Sequence, residues 1–252
     1  MDSILTAYVN SRFFREIIAR YRPLAVFMTG SRAAGLQHAT SDYDICLLVD
    51  VHGKPDASYP GITPQCIHKA TGACLHYCTN GLDELFINDG AGRTINPRDT
   101  YIWKAMLEFG LEPEPLYIRK GFAPLWEKLY ANKELLAKAG LYELYMTYGV
   151  NKDLIDIAKE GTMLPNRIMA YCMMEYHILK DLPPTEEQLR RYTEIHAMTD
   201  PAEVDSLADG EKQLYIDALV ETGRMFEEDK ATYEGYKRKA GKLYAEIRSA
   251  LS

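Results

Sequence analysis

The 252-residue sequence holds no apolar run near the roughly 18 residues that a membrane-spanning helix requires. The first 22 residues are not expected to act as a secretory leader: Arg12, Arg15, Arg20 and Arg22 interrupt their apolar positions, and they lack a small-residue cleavage site. Cysteine is sparse, five residues unevenly spaced, an odd number that argues against a disulfide framework. Reduced thiols and a cytoplasmic location are the expectation. Basic charge is also short. Ten basic residues face thirteen acidic ones up to Pro115, and nineteen face twenty-three beyond it, for a net charge of -7. Neither part can coat a polyanion, so extended duplex nucleic acid is excluded as a partner. One phosphate-bearing small molecule is not, because a single local site suffices. Internal repeats and low-complexity tracts are absent, as is a G-x-x-x-x-G-K-[ST] phosphate loop, and Gly30 to Gly35 does not satisfy G-x-G-x-x-G.

What is present is ordinary globular material, 47% hydrophobic and 26% charged, long enough to bury a core without metal or disulfide staples. Tyrosine stands out, with 18 against 7 phenylalanines. Residues 2–21 carry Ile4, Leu5, Tyr8, Val9, Phe13, Ile17 and Ile18 near helical spacing, which predicts one helix ended by Pro23. Leu24 to Met28 and Ile45 to Val49 read as buried strands. Residues 52–65, with three prolines and two glycines, read as a loop. Residues 73–88 read as strand broken by a hairpin-type turn at Thr79-Asn80-Gly81, and a helix opens at Asn96-Pro97. Beyond the Glu112-Pro113-Glu114-Pro115 boundary the pattern predicts helices near 122–138, 140–160, 165–180, 185–196 and 211–250. The fold class is therefore α+β: a small mixed-sheet domain over 1–118 and a helical domain over 119–252.

Chemistry concentrates in Thr29-Gly30-Ser31-Arg32-Ala33-Ala34-Gly35 followed by Ser41-Asp42-Tyr43-Asp44. A strand ending in a glycine-serine turn lets backbone N–H groups and a hydroxyl approach a phosphate closely. Two carboxylates then alternate at the start of the next strand, where a period of two sends Asp42 and Asp44 to one face. Left bare, such a pair repels. It suits Mg2+, a hard cation that takes one or two carboxylates together with substrate phosphates.

The order Gly30-Ser31-Arg32-Ala33-x-Gly35, then Ser41-Asp42-Tyr43-Asp44, resembles the signature of the DNA polymerase beta-like nucleotidyltransferase superfamily, in its small bacterial and phage form. The likeness covers about the first 50 residues. It implies an NTP whose triphosphate is held by Gly30 and Ser31, and Asp42 and Asp44 as ligands of two Mg2+ ions, with Mn2+ a substitute. It also implies transfer of NMP to a hydroxyl of a protein, an RNA end or a small molecule, with loss of pyrophosphate. Arg32 is a candidate for neutralising phosphate charge. The superfamily adds a third carboxylate from a later strand, for which Asp83 is preferred, Glu84 comes next and Asp50 trails.

Further candidates are less distinctive. Lys152 could reach a triphosphate. Arg167 and Tyr171, on the helix predicted from Pro165, could bind phosphate and stack on a base, though their stripe reads first as core capped by polar residues. Cys66-x-His68 and Cys74-x-His76-x-Cys78 lack the knuckle spacing of structural zinc and read as buried thiols, with His76 on a central strand. The alternative function is a nucleotide-binding regulatory or antitoxin-like protein without turnover.

Overall fold

The computed structural model describes residues 3–33, 35–38, 41–50, 66–67, 74–82, 115–148, 173–174, 176–177, 179–198, 207 and 209–252. These form an α+β arrangement in two compact units. One comprises Met1–Ala34, Thr40–Lys133 and Leu243–Ser252; the other comprises Gly35–Ala39 and Glu134–Lys242.

The first unit is built on a five-stranded mixed sheet. Its strands are β1 (Ala25–Thr29), β2 (Tyr43–Val49), β3 (Cys66–Ile67), β4 (Cys74–Gly81) and β5 (Tyr117–Ile118), in the order β3-β4-β2-β1-β5. β2 is central. It runs antiparallel to β1, from Ala25 opposite Leu48 to Thr29 opposite Asp44, and parallel to β4, from Tyr43 beside Leu75 to Val49 beside Gly81. Burial explains the sequence: Ile45, Cys46, Leu47 and Leu48 are wholly inaccessible, as the continuous apolar run of an interior strand requires. Cys46 lies within it as a buried thiol.

The single helix expected over 2–21 is instead two, α1 (Ser3–Val9) and α2 (Arg12–Tyr21). The break lies at Asn10-Ser11, where short polar side chains compete for backbone partners. Asn10 Nδ2 donates to the Thr6 carbonyl (2.8 Å), and Ser11 Oγ caps α2 by accepting from the Phe14 amide (3.1 Å). Leu5, Tyr8, Phe14 and Ile17 then pack with Val26, Ile45 and Leu47 of the sheet.

The turn expected at Thr79-Asn80-Gly81 does not form. Those residues continue β4 beside Leu47, Leu48 and Val49. Interior pairing along β2 outweighs a local turn preference. The loop at 52–65 and the helix opening at Asn96 lie outside the described residues.

The middle segment of the first unit runs on to Lys133. β5 joins the edge of β1, Arg119 N–H donates to the Leu24 carbonyl (2.9 Å), and helix α4 (Ala123–Ala131) follows it. Trp126 of α4 packs on Phe27 of β1, ring centroids 5.3 Å apart. At the sheet's other end, Asp50 pairs with Arg248.

The second unit contains helices α5 (Lys133–Tyr148, from Glu134), α6 (Glu186–Ala197), α7 (Asp209–Glu228) and the first part of α8 (Lys230–Leu251). The long helix expected over 211–250 is thus broken at Asp229. α6 begins with a reciprocal capping box between Thr185 and Gln188. The tyrosine surplus is resolved here: Tyr142, Tyr233 and Phe226 pack with Tyr145 and Tyr236. Their hydroxyls reach the edge, where Tyr142 donates to Glu234 (3.1 Å) and Tyr145 to Glu227 (3.0 Å).

His177 is buried and its ring is fully engaged. Nδ1–H donates to the Leu182 carbonyl (2.9 Å), and Nε2 accepts from the Tyr192 hydroxyl (3.0 Å), which fixes the neutral tautomer. Burial holds its pKa below the ordinary histidine value of 6.5. The unfolded chain therefore binds the extra proton first, so the stabilisation is complete above 6.5 and lost as pH falls towards the depressed value. Thermal melts should show His177→Phe less stable than wild type at pH 7.5, with the gap narrowing by pH 5. A constant gap would contradict this assignment.

Candidate functional site

β1 delivers its apolar residues to the core and must then turn sharply. Gly30 does this at φ +68°, a left-handed conformation that costs other residues roughly 1–2 kcal/mol. A short helical turn, α3 (Gly30–Ala33), follows, with Ser31 buried within it.

The antiparallel register brings the second half of the motif to this turn, because Asp44 pairs with Thr29. A Cβ placed on Gly30 would lie 1.9 Å from Asp44 Oδ2 and 2.7 Å from its Cγ. The Asp44 carboxylate therefore occupies the space that any other side chain at position 30 would need. Glycine is required twice, for the backbone angle and for the seat. Asp44 is only half-buried, whereas the rest of β2 is buried. Asp42 is half-buried and immediately precedes the strand.

Arg32 points into the same motif. Its Nε–H donates to the Asp42 carbonyl (2.9 Å) and its Nη2–H to the Ser41 carbonyl (2.7 Å). The guanidinium carbon lies 3.9 Å from the centroid of the Tyr43 ring. The sequence offered no signal for these backbone contacts, since the nine residues between Arg32 and Asp42 conceal the proximity.

The structure thus brings together Gly30, Ser31, Arg32, Asp42 and Asp44. Asp83, Glu84, Lys152, Arg167 and Tyr171 lie outside the described residues. Asp50 follows the far end of β2, about 20 Å along the strand from Asp44 at 3.3 Å per residue, and is engaged by Arg248. It does not join the site. The β2–β4 register places the backbone of His76 beside Asp44 and that of Gly81 beside Val49.

Among the described residues, no group of three or more His, Cys, Asp and Glu is gathered to hold a metal. The pair present nevertheless suits Mg2+ or Mn2+. Two hard carboxylates adjoin a turn whose missing Cβ gives one of them its place, and Mg2+ commonly takes its remaining ligands from water and substrate phosphate.

The nucleotidyltransferase domain family matches residues 11–74, from the cap of α2 to the first residue of β4. That span contains all five gathered residues, and the match is consistent with the DNA polymerase beta-like superfamily. No curated protein and no solved structure matches the chain. Among the described residues, no helix is long and apolar enough to cross a membrane.

Replacing Gly30 with Ala should destabilise the protein by at least about 1–2 kcal/mol in urea unfolding. Part of that cost is the collision with Asp44, so Gly30→Ala should cost less in an Asp44→Ala background. A coupling of about 0.5–3 kcal/mol is expected. Additive effects would remove the contact from the account.

Proposed function

We propose that the protein is a Mg2+-dependent nucleotidyltransferase that moves NMP from an NTP, with ATP the first to test, onto a hydroxyl acceptor. The observation that carries this reading is the seating of the Asp44 carboxylate against Gly30 within the matched nucleotidyltransferase domain. It joins a phosphate-approachable turn to a metal-competent carboxylate pair. The acceptor is a protein side chain, an RNA 3′ end or a small molecule.

In the proposed reaction, the acceptor oxygen forms a bond to the α-phosphorus. The bond from that phosphorus to the bridging oxygen breaks, and its electron pair leaves with pyrophosphate. Gly30 and Ser31 orient the triphosphate through the backbone and hydroxyl of the turn. Asp42 and Asp44 would hold the metal ions, which would supply Lewis-acid polarisation of the attacking and leaving oxygens. Asp83 is the proposed acceptor of the hydroxyl proton and third metal ligand, with Glu84 its alternate. Lys152, Arg167 and Tyr171 are proposed contacts to the nucleotide.

One observation favours a second reading, nucleotide binding without turnover. The β4 position in register with Asp44 is His76, and β4 continues to Gly81 before Asp83 is reached. If no third carboxylate serves the site, NTP and metal would bind without transfer.

Pyrophosphate release from ATP decides between these. Asp42→Asn and Asp44→Asn should each lower it by more than the roughly 10–100-fold that loss of an outer partner costs at a metal site. Equal release by wild type and both variants would refute the transferase. Tight ATP binding by wild type, with no Mg2+-dependent product, would establish the binding protein instead.

A further inference from the structure

We infer that Arg32 is a positioning residue, fixing the backbone at Ser41-Asp42 so that the Asp42 carboxylate is held for metal binding, rather than a ligand of the NTP phosphates. The inference rests on the metal site of the proposed function and deepens it.

Asp42 and Asp44 are secured differently. Asp44 lies inside β2, paired through the ladder to Thr29 and His76 and seated against Gly30. Asp42 precedes the strand, so the register that fixes Asp44 does not extend to it. Backbone carbonyls at such a position need partners from elsewhere. Arg32 supplies them, using two N–H groups of one guanidinium for two successive carbonyls at 2.7 and 2.9 Å. The planar cation also stacks 3.9 Å from the ring centroid of Tyr43, which is itself buried among Ile45, Leu47 and Leu75. Arg32 is therefore held from one side by a firm platform and grips the chain with its edge.

That geometry depends on a rigid fork with a delocalised face. Lysine keeps the charge but offers a compact ammonium that cannot reproduce both the double donation and the stacking. A phosphate ligand would tolerate the change more readily, since an ammonium serves as a point charge for phosphate. The two roles therefore separate experimentally: a clamp acts on metal affinity without nucleotide, and a phosphate ligand acts on nucleotide affinity without metal.

The experiment is a Mn2+ titration followed by electron paramagnetic resonance, without nucleotide, on wild type, Arg32→Lys, Asp42→Asn and Asp44→Asn. A parallel ATP-binding measurement is made in EDTA. Arg32→Lys should weaken Mn2+ binding by roughly 10–100-fold, the usual cost of losing a supporting partner. Its metal-free ATP affinity should match that of wild type. Unchanged Mn2+ affinity with weakened ATP binding would overturn the inference while leaving the transferase reading intact. Wild type binding Mn2+ no better than either aspartate variant would overturn both. Should Arg32→Lys fail to fold by circular dichroism, Tyr43 gives the same test. Tyr43→Leu, which removes the stacking platform, should weaken Mn2+ binding; Tyr43→Phe, which retains it, should not. Equal Mn2+ affinities in these two would overturn the clamp.

Discussion

The constraint on which the site depends is steric: the Asp44 carboxylate fits against the backbone of Gly30 only because position 30 has no side chain. β1 and β2 would pair without this contact, but the carboxylate would lose its place beside the turn. The positive φ at Gly30 directs the chain into α3, and the absent Cβ leaves the room that Asp44 fills. One residue type meets both demands, and that couples a motif element at the end of one strand to another at the start of the next.

The rest of the first unit serves that coupling by making β2 immovable. It lies between an antiparallel and a parallel neighbour, with an apolar run whose burial forbids a one-residue slip. A slip would reverse the faces and carry Asp44 away from Gly30. α1 and α2 close one side through Tyr8, Phe14 and Ile17, while Trp126 of α4 packs on Phe27 of β1. The site thus borrows its precision from the hydrophobic core. Of the two aspartates, Asp42 is the one set outside the strand ladder, and Arg32 reaches its carbonyl.

Much of this was legible in the sequence where a local pattern and its physical cause coincide. The run Ile45 to Val49 declares an interior strand, and Gly30-Ser31 with Asp42-x-Asp44 marks two segments that the pairing of β1 with β2 brings together. Ser11 and Thr185 both have the chemistry of helix caps, yet the break at Ser11 was hidden because the apolar spacing continues across it. Asn80-Gly81 reads as a turn by propensity, and only the parallel partner β2 shows why the strand runs on. Arg32 and His76 are the instructive cases. Neither donation to the carbonyls of residues 41 and 42 nor register beside Asp44 has a local signature, because both arise from chain segments brought together by the sheet.

The central claim is that the Gly30-Ser31 turn and the Asp42-Asp44 pair form one nucleotide and metal site. The most direct measurement is a crystal structure of the protein with Mg2+ and a non-hydrolysable ATP analogue. The account predicts Mg2+ at roughly 2.0–2.1 Å from carboxylate oxygens of Asp42 and Asp44, with the triphosphate against the backbone of Gly30 and Ser31. A nucleotide bound elsewhere, or a metal that leaves both aspartates uncoordinated, would contradict it.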